Sequence, residues 1–328
     1  MPRNRSTLVA AITGGALAVT ALAACDSGAE GSSGDAWEPS QDVTITVAFP
    51  AGGGTDGAAR ALAEGLESVR EDLNVVVVNR DGGSGTVGYT HAQQQSNNPH
   101  ELTFVEPGFV IVPETTEVGF SIDDFNSVGG ISLYTSAVIA PNDQYEDLED
   151  LIASAEGETL TVGFPNATGP QAISTVLMEQ AGGVEFEHIV YQNGGEIAAA
   201  VASGDLDFGL TALEHAEGFI SDGRVEALAV LADEPVEQET YADVPTAQEA
   251  GLDVSFSGFR GLVTGGDLAE EELEYWVSAL DDYRASEEYQ DSLELTMTQE
   301  LDESGEDFQT YLGEFTEVVS PILPELGS

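Results

Sequence analysis

Residues 43–56 read VTITVAFPAGGGTD, and this stretch decides the fold. The β-branched run from Val43 to Phe49 predicts a strand, and Pro50 with the three glycines after Ala51 predicts a turn. Beyond it, apolar residues recur at helical spacing between positions 59 and 66. Strand, glycine-rich loop and amphipathic helix in this order predict one unit of a parallel α/β sheet.

The same pattern recurs along the chain, which extends the α/β prediction to the whole sequence. Helices are predicted at 170–181 and 196–203, each after a strand and a short loop. A short helix is also predicted around 89–95, and long acidic helices from after residue 263 to the C-terminus. Further strands are predicted at 75–78, 102–105, 132–140, 160–164, 186–191, 206–210 and 225–231. No sequence period indicates a solenoid.

Two of the loops suit anion binding. Gly52, Gly53 and Gly54 carry no Cβ, so backbone N–H groups can approach a ligand closely at the start of a helix. The loop at 163–169 also follows a strand and precedes a helix, with Pro170 suited to the first helical turn. Each loop also fits an ordinary strand–helix turn. If they face each other across a cleft, they could hold carboxylates from both sides.

The charge composition excludes several functions. The chain has 60 acidic and 8 basic residues, a formal net charge of −52, and all basic residues are arginine. Without lysine there is no Schiff base and no P-loop lysine. Nucleic-acid binding, which needs a basic patch, is also excluded. We interpret the scattered acidic residues as a solvated surface adapted to high salt, where screening removes self-repulsion.

The N-terminus has the features of a lipoprotein signal peptide. Two arginines precede an apolar run that ends in Leu22-Ala23-Ala24-Cys25, and Cys25 is the only cysteine. We predict a signal peptide at 1–24, acylation of Cys25 and a flexible linker within 25–41. No later stretch is long and apolar enough for a membrane span. An ordinary signal peptide with a chance cysteine is the alternative.

Enzyme motifs are weak or absent. The glycines at 52, 54 and 57 match a dinucleotide fingerprint, with Asp81 placed as a ribose-binding acid. An exported protein has little use for such a cofactor, so a nucleotide-cofactor enzyme is only a remote alternative. The four histidines lack metal-ligand spacing, and no nucleophile elbow occurs. We therefore expect no enzyme activity, cofactor or metal.

In order and spacing, five segments resemble the solute receptors of tripartite tricarboxylate transporters, also called Bug proteins. These segments are Phe49–Asp56 with Ala59-Arg60, Val78–Gly85, Val190–Gly195 running on to Gly204–Asp207, Arg224–Val230, and Asp243–Thr246. The resemblance extends from about residue 43 to 323. It implies an extracytoplasmic receptor, expected to be monomeric, that captures a small carboxylate for transporter membrane subunits. A receptor for an ATP-driven transporter would share the fold and is the alternative.

The family's fold is periplasmic-binding-protein-like of type II, with two lobes and a ligand cleft between them. We expect residues 42–140 plus 257–328 in one domain and 141–256 in the other. By the resemblance, ligand-binding residues come from the loops on both sides of the cleft. They are Phe49, Gly53, Gly54, Thr55, Asp56, Ser84, Thr86, Gly163, Asn166, Thr168, Gly169 and Thr211.

The chain departs from the family pattern at three places. Asp81 replaces a proline, and the loop from Phe164 to Thr168 replaces a Gly/Ser-rich stretch followed by His. Phe259-Arg260-Gly261 resembles a Trp-Arg-Gly triplet of part of the family. Arg260 could pair with a ligand carboxylate, but we expect it to form an ion pair that stabilises a domain. The sequence does not name the carboxylate.

Overall fold

Two mixed β-sheets covered by helices organise the chain. The computed structural model describes residues 37–167, 169–236 and 238–326. The predicted signal peptide at 1–24, the acylation site Cys25 and the linker up to residue 36 lie outside the described residues. Within the described part, residues from Trp37 onward cluster as one unit.

The elements alternate as the sequence predicts, with three helices that it did not. The strands are β1 (Val43–Val47), β2 (Val75–Asn79), β3 (Glu101–Val105), β4 (Phe125–Tyr134), β5 (Ala137–Pro141), β6 (Thr161–Phe164), β7 (Glu187–Val190), β8 (Phe208–Thr211), β9 (Val225–Val230), β10 (Gly258–Gly265) and β11 (Gln299–Glu300). The helices are α1 (Gly54–Val69), α2 (Thr86–Gln93), α3 (Pro107–Thr115), α4 (Leu148–Ala155), α5 (Pro170–Gly182), α6 (Gly194–Ser203), α7 (Leu213–Ser221), α8 (Glu270–Arg284), α9 (Glu287–Thr296) and α10 (Glu306–Val319). Helices α3, α4 and α7 are the unpredicted ones.

The two sheets share one strand order, apart from the additional edge strand β11 in the first sheet. The first sheet runs β2-β1-β3-β10-β4-β11 and the second β7-β6-β8-β5-β9. In each, three parallel strands are followed by a strand from a distant part of the chain, which pairs antiparallel. The predicted parallel sheet is therefore wrong in detail, because β5 and β10 enter as the chain crosses between sheets.

The predicted single strand at 132–140 is two strands in different sheets. β4 ends at Tyr134 and β5 begins at Ala137, so the chain crosses at residues 135–136. The sequence pattern could not show this break, because apolar residues lie on both sides of it. β10 returns the chain to the first sheet. The division into two domains at residues 140/141 and 256/257 stays a prediction.

Helices bury the sheets on both faces. On one face of the first sheet, Leu62 and Leu66 of α1 pack with Trp276 and Tyr283 of α8. Gly65 is required at this crossing, since an added Cβ would lie 2.0 Å from the Tyr283 ring. This packing fixes the start of α1 at the carboxyl end of β1. Ligands of open α/β sheets bind at the carboxyl ends of parallel strands.

Candidate functional site

A cavity of about 330 Å³ lies at the carboxyl ends of the parallel strands of both sheets. Its walls come from the loops after β1, β3, β6, β7, β8 and β9, from the end of β4, from β10 and from the α9–β11 turn. The residues that line it are Phe49, Gly53, Gly54, Thr55, Glu106, Tyr134, Thr135, Pro165, Asn166, Gly169, Pro170, Gln171, Gln192, Asn193, Gly194, Thr211, Ala212, Leu213, Glu214, His215, Val236, Arg260, Thr296, Met297 and Thr298.

Five helices begin at this cavity. Their N-cap residues all line it, and these are Gly53 for α1, Glu106 for α3, Gly169 for α5, Asn193 for α6 and Ala212 for α7. The first N–H groups of a helix have no intrahelical acceptor, and the helix dipole adds partial positive charge there. Of the five, only the Asn193 side chain caps its helix, at 3.0 Å from the Glu196 amide. The wall therefore favours anions.

Asp56 braces the first loop from behind rather than lining the cavity. Its buried carboxylate accepts hydrogen bonds from the Gly52 amide at 2.9 Å and from Asn79 Nδ2 at 3.0 Å, and it pairs with Arg60 at 2.9 Å. Asn79 Nδ2 also donates to the Phe49 carbonyl at 3.0 Å. The hydrogen bond from Arg60 and that from Gly52 lower the pKa of Asp56 to about 2. The ionised carboxylate thus holds the loop in the shape that exposes its amides.

Close packing shapes the opposite wall at the start of α6. Thr211 Oγ1 lies 3.3 Å from His215 Nδ1, and both side chains line the cavity. A Cβ on Gly194 would come within 2.1 Å of Thr211 Oγ1 and 2.4 Å of His215 Nδ1. Only glycine lets this helix start approach the two polar side chains.

Glu106 and Arg260 place opposite charges in the same cavity. The Glu106 carboxylate accepts a hydrogen bond from Thr55 Oγ1 at 2.8 Å. Burial raises the pKa of Glu106, while the Thr55 hydrogen bond and the Arg260 charge act in the opposite direction. The Arg260 guanidinium lies over the Tyr134 ring, 5.1 Å from its centroid.

The expectation that Arg260 forms a domain-stabilising ion pair is wrong for the described chain. No carboxylate of the described residues forms an ion pair with it. Its Nε is buried and has no hydrogen-bond partner. The hydroxyl of Thr135, another lining residue, is likewise buried and has no hydrogen-bond partner. Both polar atoms are therefore without a protein partner.

Sequence comparison identifies the chain. The family model described as tripartite tricarboxylate transporter family receptor matches residues 58–321, most of the sequence. The chain belongs to this receptor family. Protein BugT of Bordetella pertussis is 28% identical over 226 residues, covering 65% of this chain and 67% of BugT. The family consists of extracytoplasmic solute-binding receptors rather than enzymes, and so this chain is such a receptor.

Solved structures share the receptor fold. MatC of Rhodopseudomonas palustris with bound malate matches with a TM-score of 0.72 and 19% identity, over 87% of this chain and all of MatC (100%). An R. palustris protein with adipate matches with a TM-score of 0.76 and 20% identity, over 88% of this chain and 98% of that protein. The chain has the periplasmic-binding-protein-like α/β fold that the sequence predicted.

The structure brings seven of the twelve candidate residues of this receptor to the cavity. These are Phe49, Gly53, Gly54, Thr55, Asn166, Gly169 and Thr211. Asp56 lies behind the first loop, and Thr168 lies outside the described residues. The remaining three, Ser84, Thr86 and Gly163, do not line the cavity.

Local structure explains where these three residues lie. Thr86 Oγ1 donates to the Gly83 carbonyl at 2.6 Å, and Ser84 adopts a left-handed backbone with φ 54° in the same tight turn. Gly163 is inside β6, where a Cβ would lie 2.4 Å from Leu206. In the structure, Ser84 and Thr86 belong to this turn and Gly163 to the packing of β6, and a ligand contact by any of the three stays a prediction.

Sequence reasoning did not predict helices α3 and α7 after β3 and β8, and it predicted α6 after β7 without assigning the start of that helix to the site. A signal was present for α3, since Pro107 follows a buried strand and proline is favoured at the first helical position. For α6, Asn193 before two glycines is a typical N-cap. Ala212 gives no such signal. Among the described residues no cluster of three or more His, Cys, Asp or Glu could hold a metal ion, and no helix is long and apolar enough to cross a membrane.

Proposed function

We propose that the cavity binds a small carboxylate and that the receptor delivers it to the membrane subunits of a tripartite tricarboxylate-type transporter. The observation that carries this proposal is the convergence of five helix N-termini and Arg260 on one cavity. Such a wall stabilises negative charge at several points, as a molecule with more than one carboxylate requires. The relatives with bound malate and adipate support the same class of solute.

The binding residues that we propose are the seven that line the cavity, with the amides of Gly53, Gly54 and Thr55 on one side. Asn166, Gly169 and Thr211 form the other side. Asp56 acts through the loop, because its carboxylate holds the Gly52 amide and the Asn79 side chain. The cavity volume of about 330 Å³ suits a small metabolite.

A pair of matched substitutions tests the carboxylate site. A Cβ at Gly54 would meet nothing within 4 Å and would point into open space at the start of α1. Gly54→Val should therefore fold normally, fill the amide cradle, and abolish the thermal shift caused by carboxylates. The measurement is a melting-temperature screen at high salt against mono-, di- and tricarboxylates, since a ligand of the folded state raises Tm by mass action.

Gly57→Val is the matched control. Gly57 lies one turn further along α1, also has open space around its Cβ position, and does not line the cavity. This variant should keep the full thermal shift. If Gly54→Val binds carboxylates as the wild type does, the first loop is not the site. If only sugars, amines or nucleotides shift the melting temperature of the wild type, the proposed solute class is wrong.

We further propose that the mature receptor is a monomeric lipoprotein on the outer face of the cytoplasmic membrane. The support is the sequence alone, in which Cys25 directly follows the predicted signal peptide at 1–24. Cys25→Ser should release the protein from the membrane fraction into the soluble fraction; retention on the membrane would contradict the anchor. The net charge of −52 supports salt adaptation. Full stability in salt-free buffer would contradict that part.

A further inference from the structure

An acidic side chain is unexpected in the wall of a cavity built to attract anions. Glu106 lines the cavity beside the amides of the first loop. Its carboxylate is held by Thr55 Oγ1, which donates to Oε2 at 2.8 Å. Carboxylates accept several hydrogen bonds when ionised, so this group offers further acceptor capacity to the cavity. A ligand with acceptors only would bring its own negative charge against it.

The Thr55 contact fixes how far this acceptor lies from the amide cradle. Thr55 contributes its amide to the first turn of α1 and its hydroxyl to Glu106. A carboxylate bound by the Thr55 amide would therefore lie beside the hydroxyl that holds Glu106. A donor group that meets Glu106 is then expected close to that carboxylate, on the neighbouring carbon of the ligand. A donor at the far end of a chain would not reach it.

Two kinds of donor could meet Glu106, a hydroxyl and an ammonium group, and they differ in charge. A hydroxyl would satisfy one lone pair of the Glu106 carboxylate but would bring no positive charge to it. An ammonium group satisfies the same lone pair and adds its positive charge to that of Arg260, which already acts on Glu106. Arg260, the one arginine among the described residues of the lining, is then left for a second anionic group of the ligand.

We propose that Glu106 selects ligands with a protonated amino group on the carbon next to a carboxylate, so that the receptor prefers α-amino carboxylates over plain dicarboxylates. This inference rests on the proposed function, since it assigns the solute class of the same cavity. Thr55 is the link between the two halves of the contact: its amide faces the carboxylate and its hydroxyl orients Glu106.

The test compares ligands that differ at one carbon only. Succinate, L-malate and L-aspartate carry hydrogen, hydroxyl and ammonium at the same position, and adipate with L-2-aminoadipate forms a longer pair. Isothermal titration of the wild-type protein should give a dissociation constant at least about tenfold lower for the amino member of the series that binds. Equal or tighter binding of succinate, malate or adipate would overturn the proposal while leaving the carboxylate receptor intact.

The variant Glu106→Gln tests whether the charge of Glu106, and not the shape of the cavity, causes the preference for the amino compound. Its amide keeps an acceptor for a donor but carries no charge, and its NH₂ group can donate to a plain carboxylate. The preference for the amino compound should fall by about tenfold or more, with plain dicarboxylates binding more tightly than they bind to the wild type. The melting temperature of the variant without ligand shows whether it folds. The ligand comparison on the wild-type protein tests the proposal even if the variant does not fold.

Glu214→Gln is the control, because Glu214 also lines the cavity but its side chain is 33% exposed. It should leave the ratio between amino and plain ligands within about threefold of the wild-type value. An unchanged ratio in Glu106→Gln, or the same change in both variants, would overturn the role of Glu106. Failure of every carboxylate, with or without an amino group, would instead remove the proposed function itself.

Discussion

Replacing Arg284 with methionine is expected to lower the free energy of unfolding by about 3–5 kcal/mol, the largest stability effect that we anticipate for one substitution. Arg284 ends α8, and its side chain is only 7% exposed. The guanidinium donates to the carbonyls of Gly130, at 3.1 Å from Nε, of Asp302 at 3.2 Å and of Glu303 at 2.9 Å. Methionine fills a similar volume but leaves these carbonyls without a donor.

The same guanidinium links three elements that pack at the first sheet. It also donates to Ser304 Oγ at 2.7 Å and pairs with Asp281 at 3.0 Å. It thereby ties α8 to β4 and to the segment that leads into α10. Gly129 makes room for it, since a Cβ there would lie 2.7 Å from the guanidinium. Loss of the arginine therefore affects several elements at once.

Urea unfolding, followed by tryptophan fluorescence, measures this effect. Urea is preferred to guanidinium chloride because the salt would screen the high net charge and change stability by itself. Arg70→Met is the control: Arg70 pairs with Asp282, whose side chain is 54% exposed, so it should cost less than about 1 kcal/mol. A cost for Arg284→Met no larger than that for Arg70→Met would show that the carbonyl cage contributes little.

Local signals made the start of the site predictable from sequence. The strand at 43–47 and the glycines before α1 are recognisable because their chemistry is local: β-branched alternation, absence of Cβ atoms and helical spacing. The loop before α5 carries the same signals. Both loops lie at the carboxyl end of the first of three parallel strands in their sheets, and both line the cavity.

Non-local pairing explains what the sequence did not reveal. The strand breaks after Tyr134 because the two halves of one apolar run pair in different sheets. The apolar pattern of the run does not show where one sheet ends and the other begins. Glu106 and Arg260 are 154 positions apart and meet only because β10 pairs with β3. The chain has 68 charged residues, and only the tertiary structure shows that these two line the cavity. For the same reason, the sequence does not show that the Asp56 carboxylate accepts hydrogen bonds from Gly52 and Asn79 behind the loop.

Replacing Arg260 with glutamine is expected to weaken binding of the receptor's dicarboxylate or amino-dicarboxylate ligand by about ten- to a hundredfold. Arg260 is the one arginine among the described lining residues, and its guanidinium carries a full positive charge. Its Nε has no protein partner. Stacking on Tyr134 limits its motion, so little order is lost when a carboxylate binds. Glutamine keeps a donor but removes the charge and the planar fork.

Titration calorimetry with the tightest ligand of the thermal-shift panel provides the measurement. Arg70→Gln, an arginine outside the cavity lining, should bind that ligand as the wild type does. In Arg260→Gln, the loss of affinity should be larger for the dicarboxylate than for a monocarboxylate of the same length. The helix N-termini hold the first anionic group, so only the second needs the arginine. Equal losses for both ligands would place Arg260 in the support of the cavity wall and not in contact with the ligand.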